Sequence, residues 1–166
     1  MKLRRMNPGQ ILALALFIIA TGFVVEGKNI CEKCVCDDLT PYLIDCSQQK
    51  LLEVFEEEDW IETLTVKNIS NDTQLDVRFD DNKITRVKRF PQLNIVNLSF
   101  QKNSIQNVDN SAFADLRNLK SLDLSHNQLT ADSLPELALY GIFNSSNYYY
   151  PLPVIHLSLS HNNIHR

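Results

Sequence analysis

LKSLDLSHNQL, residues Leu119–Leu129, carries leucine at its first, fourth, sixth and eleventh positions and asparagine at its ninth. A half-buried strand explains the alternation in Leu122-Asp123-Leu124, because successive side chains point to opposite faces. It gives no reason for an asparagine three residues after the last inward leucine. The same offsets recur along the chain. IVNLSFQKNSI supplies Ile95, Leu98, Phe100, Asn103 and Ile105, and VIHLSLSHNNI supplies Val154, Leu157, Leu159, Asn162 and Ile164. QLDVRFDDNKI supplies Val77, Phe79, Asn82 and Ile84, with Gln74 where an apolar residue belongs and Leu75 beside it. A weaker echo, LIDCSQQKL, offers Ile44, Cys46, Gln49 and Leu51. Self-similarity of this kind marks a coil of repeats, not one strand of a mixed domain.

The pattern has a physical reading at each position. Leu122 and Leu124 point inward together while Asp123 and Ser125 point out, and stacked strands bury a continuous apolar spine that no single turn could bury alone. The chain must bend after each strand, which leaves backbone groups inside the coil. An asparagine amide both donates and accepts, so Asn82, Asn103, Asn127 and Asn162 are expected to form a buried ladder. The spacing is uneven: 21 residues from Val77 to Leu98, 24 from Leu98 to Leu122, and 35 from Leu122 to Leu157. In the second of these, Phe113, Leu116 and Leu119 are expected to cover the convex side. The third contains an insertion, about 131–153, whose bulge is GIFNSSNYYYPLP, marked by Gly141, Pro151 and Pro153. Upstream, Leu64-Thr65-Val66 looks like a strand, yet it lies so close to Val77 that its turn is either very short or irregular.

The first 27 residues read as a segment outside the fold. Lys2, Arg4 and Arg5 precede an apolar run from Ile11 to Ala20, and Val25-Glu26-Gly27 suits a cut before Lys28. The alternative is an uncleaved anchor, but the apolar stretch to Val25 is short of the ~20 residues a spanning helix needs. No later stretch is long and apolar enough to cross a membrane. Cys31, Cys34, Cys36 and Cys46, the only cysteines, cluster just after the expected cut. They admit three readings: zinc, a redox C-x-x-C, or disulfides. Export to an oxidising compartment favours disulfides, and no βαβ pattern follows to support redox chemistry.

Together these features resemble extracellular leucine-rich repeats, and the spacing of Cys31, Cys34, Cys36 and Cys46 resembles their N-terminal cysteine-rich cap. The stretch YYYPLPVIHLSLSHNNIH is similar to units of insect cell-surface repeat proteins. The resemblance runs from about Cys31 to Arg166. It implies an α/β repeat fold, a right-handed solenoid with a parallel sheet on its concave side and an N-terminal disulfide cap. It also implies the pairing Cys31–Cys36 and Cys34–Cys46. The corresponding organisation is a signal peptide over 1–27, a cap over 28–60 and repeats over 61–166. A C-terminal cysteine-rich cap is usual in the family, but no cysteine follows Cys46. The expectation is that the natural product is longer, or that a partner covers Leu157, Leu159 and Ile164. A membrane anchor would then lie in the missing C-terminal region.

The implied function is noncovalent protein recognition at a cell surface or after secretion, in adhesion or receptor signalling. The rival is a structural matrix protein. A net charge of −4, with pI near 5.5 and scattered basic residues, argues against nucleic acid. There is no G-x-S-x-G, no H-E-x-x-H and no glycine-rich phosphate loop, so neither an enzyme nor a cofactor is expected. His126 and His161 belong to the outward SHN of their repeats. Strand residues between the inward ones align in columns: Asp76, Asn97, Ser121 and His156; Arg78, Ser99, Asp123 and Ser158; Asp81, Lys102, His126 and His161. The expected binding face uses Arg78, Asp81, Lys102, Asp123, His126 and His161. Asn68, Asn71, Asn97 and Asn144 begin glycosylation sequons, and a glycan on Asn97 would shield that face. Tyr148, Tyr149 and Tyr150 either anchor a partner or pin the insertion. Glu56–Asp59 reads as a solvated face beside a buried Trp60.

Overall fold

The computed structural model describes residues 28–143 and 148–164; the segment read as a signal peptide, and Asn144, lie outside them. One sheet contains six strands: β1 (Val35–Asp37), β2 (Tyr42–Asp45), β3 (Leu75–Arg78), β5 (Ile95–Ser99), β7 (Ser121–Asp123) and β10 (His156–Ser158). They lie side by side in chain order, with β1–β2 antiparallel and every later pair parallel. Two-residue strands β4 (Arg86–Val87) and β6 (Asn107–Val108) form a second parallel pair on neighbouring turns.

The register matches the sequence alignment. Ile44 pairs with Val77, Val77 with Leu98, Leu98 with Leu122, and Leu122 with Leu157. The faint cysteine-cluster echo is therefore a true first turn. The misfit at Gln74 also has a cause. Leu75 pairs with Ile95 but Asp76 pairs with Asn97, so Val96 is an extra residue on β5. A bulge absorbs one residue, and Leu75 rather than Gln74 enters the core, 1% exposed.

The second inward row, Cys46, Phe79, Phe100 and Leu124, is fully buried. Each of these donates its N–H to the adjoining turn, at Arg78 O, Ser99 O, Asp123 O and Ser158 O respectively, 2.8–2.9 Å away. Phe79 and Phe100 stack with centroids 5.1 Å apart. Behind them Phe90 and Phe113 form a second tier at 6.3 Å, and Trp60 packs edge-on against Phe79 at 6.5 Å. Offset and edge-to-face rings contribute beyond the area they bury. Phe113, Leu116 and Leu119 close the back of their turn, as expected.

Ser125 departs from expectation. Although it follows the inward Leu124 by one residue, it is only 2% exposed. The bend tucks it under the preceding turn, where Gln101 Nε2 approaches its hydroxyl at 3.4 Å.

The asparagine ladder is present. Asn103 Nδ2 donates to Phe79 O of the previous turn at 2.8 Å and to Phe100 O of its own at 3.1 Å, while its Oδ1 accepts from Ile84 N. Asn127 repeats this with Phe100 O, Leu124 O and Ile105 N, and Asn82 with Cys46 O, Phe79 O and Leu51 N. Asn162 makes the same set to Leu124 O, Leu159 O and Leu129 N but is half-buried. Each amide ties two turns together and satisfies backbone groups that the bend strands away from water.

Leu64-Thr65-Val66 is not a strand. It ends helix α1 (Glu57–Val66), which fills the long turn between Ile44 and Val77. The sequence there looked like a strand, but tertiary packing decides otherwise. Trp60 and Thr63, three apart on one helical face, are both completely buried. Thr63 Oγ1 accepts from Ile30 N at 2.7 Å and donates to Asp59 O at 2.7 Å, joining the helix to the start of the cap. The acidic run read as a solvated face is the helix start: Asp59 Oδ2 accepts from Glu56 N, and acidic residues suit the positive end of the dipole. Position 60, expected to end the cap, lies inside α1.

The insertion is a hairpin of β8 (Tyr140–Phe143) and β9 (Tyr148–Pro151), preceded by 3₁₀ turns at Ala131–Ser133 and Glu136–Leu139. Gly141 lies opposite Tyr150, and a Cβ at Gly141 would come within 2.3 Å of that ring. The glycine is needed so that the half-buried tyrosine can lie across the strand, packed on the core.

Candidate functional site

The open face of the six-stranded sheet is built by the residues that alternate with the spine. Arg78, Ser99, Asp123 and Ser158 are register partners in sequence, and Asp45 of the first turn extends their column. Asp76, Asn97, Ser121 and His156 form the adjoining column in the same pairing.

The third column sits in the bend, and its backbone has a property the alternation did not reveal. Asp81, Lys102, His126 and His161 all lie in the left-handed region, with φ of 53°, 55°, 55° and 55°, as does Gln48 of the first turn at 60°. Side chains other than glycine visit this region at a cost, with Asp, Asn and His over-represented there. Cross-turn bonds hold it: Asp81 N donates to Gln101 O, Lys102 N to Ser125 O and His126 N to Ser160 O, at 2.9–3.1 Å. Each residue immediately precedes the ladder position, so the ladder fixes the direction of this column. The imidazoles of His126 and His161 stack with centroids 4.0 Å apart and planes 8° from parallel.

Charge on this face is mostly negative. Asp76, Asp45 and Asp80 lie around Arg78, Asp81 lies near Lys102, and Asp123 lies near Asp80. Arg78 Nε bonds Asp76 Oδ1 at 3.2 Å, and Lys102 Nζ lies 3.9 Å from Asp81. The hydrogen bond to Asp76, with Asp45 and Asp80 nearby, raises the Arg78 pKa above its ordinary value. Asp80 was not singled out by the sequence, yet it is half-buried at the centre. Burial pushes its carboxyl pKa up, with Asp123 and Asp45 adding to the effect, against the hydrogen bonds from Ser99 Oγ and Gln101 N. The charges on the flank are paired between turns instead: Arg86 with Asp109, Lys88 with Glu53 and Glu56, and Arg89 with Asp115. Such exposed pairs contribute little to stability.

The four cysteines pair as Cys31–Cys36 and Cys34–Cys46, leaving no free thiol. The sequons are dispersed. Asn68 follows α1 in a left-handed turn, Asn71 is exposed in the next turn, and Asn97 lies on the open face with Nδ2 3.5 Å from Asp76 Oδ2. The side chains of Tyr148 and Tyr149 lie outside the described residues. Tyr150 packs on the core and so serves the hairpin. Among the described residues no helix is long and apolar enough to cross a membrane.

A family model described as Leucine rich repeat matches residues 91–138. These span β5, β7 and the rungs Asn103 and Asn127, so the match coincides with the most regular turns. It supports a leucine-rich repeat protein, and the two disulfides fit an N-terminal cap. Leucine-rich repeat domains commonly mediate protein–protein interaction. No curated protein matches the chain in sequence.

Proposed function

We propose that the chain is a secreted or cell-surface recognition module that binds a protein partner noncovalently, in adhesion or receptor signalling. Residues 28–60 act as the cap and 61–166 as the repeats of a right-handed solenoid, with the open sheet face concave. The observation that carries this reading is the alignment of polar residues in three columns across consecutive turns. Such columns present donors, acceptors and charges at a spacing set by the sheet, ~4.8 Å per strand. An extended polar face of this kind suits a protein surface, and no reaction is assigned to it. Paired cysteines are compatible with an exported chain.

The test is to display the mature chain as a multimer against arrayed ectodomains and, separately, against collagen and matrix glycans. On the ectodomain hit, Arg78→Glu, Lys102→Glu and Asp123→Lys should each weaken binding about tenfold, ~1.4 kcal/mol, with secretion unchanged. Binding lost only on replacing Tyr148 and Tyr149 moves the contact to the hairpin. Binding to matrix glycans alone favours the structural reading.

A further inference from the structure

A cavity of about 420 Å³ lies on the flank beside α1, away from the open face. Its accessible apolar lining comes from Ile61 and Leu64 of α1 and from Pro91 of the next turn, with the buried Trp60 and Leu93 behind them. Ile61 is 57% exposed there, so the described side chains leave this surface uncovered. The rim is polar and tied down: Asn94 Nδ2 donates to Asp72 O at 2.6 Å, and Asn118 Nδ2 donates to Asn94 Oδ1 at 2.9 Å. Asn71 lies in the wall of this cavity and opens the sequon Asn71-Asp72-Thr73. Thr73 N closes the sequon turn on Ser70 O at 2.9 Å. Neither Asn68 nor Asn97, which lies in β5, lines the cavity.

We infer that Asn71 carries an N-linked glycan whose first sugar, an N-acetylhexosamine, is seated in this cavity. The inference rests on the reading of the chain as exported. The co-reactant is an oligosaccharide carried on a polyprenyl diphosphate. Asn71 Nδ2 bonds to the anomeric carbon, the carbon–oxygen bond to the diphosphate breaks, the diphosphate leaves with the electron pair, and the amide gives up one proton. A pyranose combines C–H faces with a ring of hydroxyls, which matches an apolar floor within a polar rim. A volume near 420 Å³ lies in the range of small-molecule sites, ~300–1,000 Å³. Because the sugar is covalently tethered at the wall, its effective concentration is in the millimolar range, so a contact too weak to hold a free sugar is still occupied.

The full chain is expressed in a eukaryotic secretory host with Asn68, Asn97 and Asn144 each changed to Gln, and the Asn71 peptide is read by mass spectrometry. Asn71 is expected to be occupied. Trimming to the proximal sugar should leave the Tm unchanged, whereas complete removal should lower it by about 3 °C. In an Ile61→Ser chain, removal should no longer change the Tm. A wild-type chain that is exported with glycan at another sequon but bare at Asn71 overturns this inference alone. A chain that is not exported overturns both it and the proposed function. A glycan at Asn71 whose complete removal leaves the Tm unchanged overturns the seating.

Discussion

The turn from β5 to β7 and the turn from β7 to β10 share one register and one asparagine rung, yet they differ in what covers them. Leu122 is 1% exposed and Leu157, its register partner, is 42% exposed. Asn127 is 7% exposed, whereas Asn162 is half-buried with the same three kinds of partner. The earlier turn is closed behind by Phe113, Leu116 and Leu119. The later one uses Ala138 and Leu152, with Leu134, Leu139, Tyr150 and Val154 partly buried around them. The repeat motif therefore fixes backbone path and register, while the energy of each turn depends on its neighbours. Where turns stack, each depends on its nearest neighbours, and among the described residues β10 has a strand neighbour only on the β7 side.

The largest test of this contrast is in the apolar spine. Phe100→Ala removes a ring that stacks on Phe79 and contacts Phe90 at 6.2 Å, and should cost about 4 kcal/mol. Leu157→Ala should cost about 1–2 kcal/mol, because at 42% exposed it has less burial to lose than Phe100. Urea unfolding of both variants measures the difference. Equal costs would mean that the last turn is packed as tightly as the inner ones, contrary to the exposure of Leu157.

How far the sequence could be read follows the same division. The strand rows, the ladder and the flanking Phe113 were legible because each rests on a fixed offset, and a fixed offset means a fixed direction in a stack. Helix α1 was not legible, because its apolar positions serve the cap and the neighbouring turn rather than its own repeat. Thr63 bonds Ile30, more than thirty residues away in sequence, and no local pattern encodes that contact. The bulge at Val96 and the burial of Ser125 were hidden for a related reason: both depend on the adjoining turn. On the open face, the columns could be written down from the alternation alone. The left-handed backbone of the third column and the burial of Asp80 could not. The signal available for the former was the polar residue that immediately precedes every rung asparagine.

A second, smaller contrast lies in the ladder. Asn127→Leu leaves Phe100 O, Leu124 O and Ile105 N without their side-chain partner inside the coil, and should cost about 3 kcal/mol. Asn162→Leu removes the same kind of bonds where water can replace them, so about 1 kcal/mol is expected. Hydrogen exchange sharpens the comparison. Asn127→Leu should raise exchange at Ile105 N and the amides around it, while Asn162→Leu should affect Leu129 N alone. If both variants unfold at the wild-type urea midpoint, the rungs are ornaments of the bend and the stack is held by its apolar rows only.

The smallest effect concerns the position two residues before each rung, where an inner turn has Asp80 and the last has Ser160. Asp80 is half-buried, and its pKa is raised above the ordinary 3.8, first by burial and then by Asp123 and Asp45. A carboxyl whose folded pKa exceeds its unfolded value takes up a proton more readily when folded. Its charge therefore opposes folding at neutral pH, and this opposition is relieved as pH falls through the raised pKa toward 3.8. Asp80→Asn keeps an Oδ1 acceptor for Ser99 Oγ and Gln101 N, the two bonds that the carboxylate makes through that atom. The variant should be slightly more stable than wild type at pH 7, with the gap closing on acidification. Ser160→Ala should show no such pH dependence. Urea midpoints across that range measure both. A gap that instead widens toward low pH would show that the hydrogen bonds from Ser99 and Gln101 outweigh burial, and that the ionised carboxylate helps to hold the inner turn together.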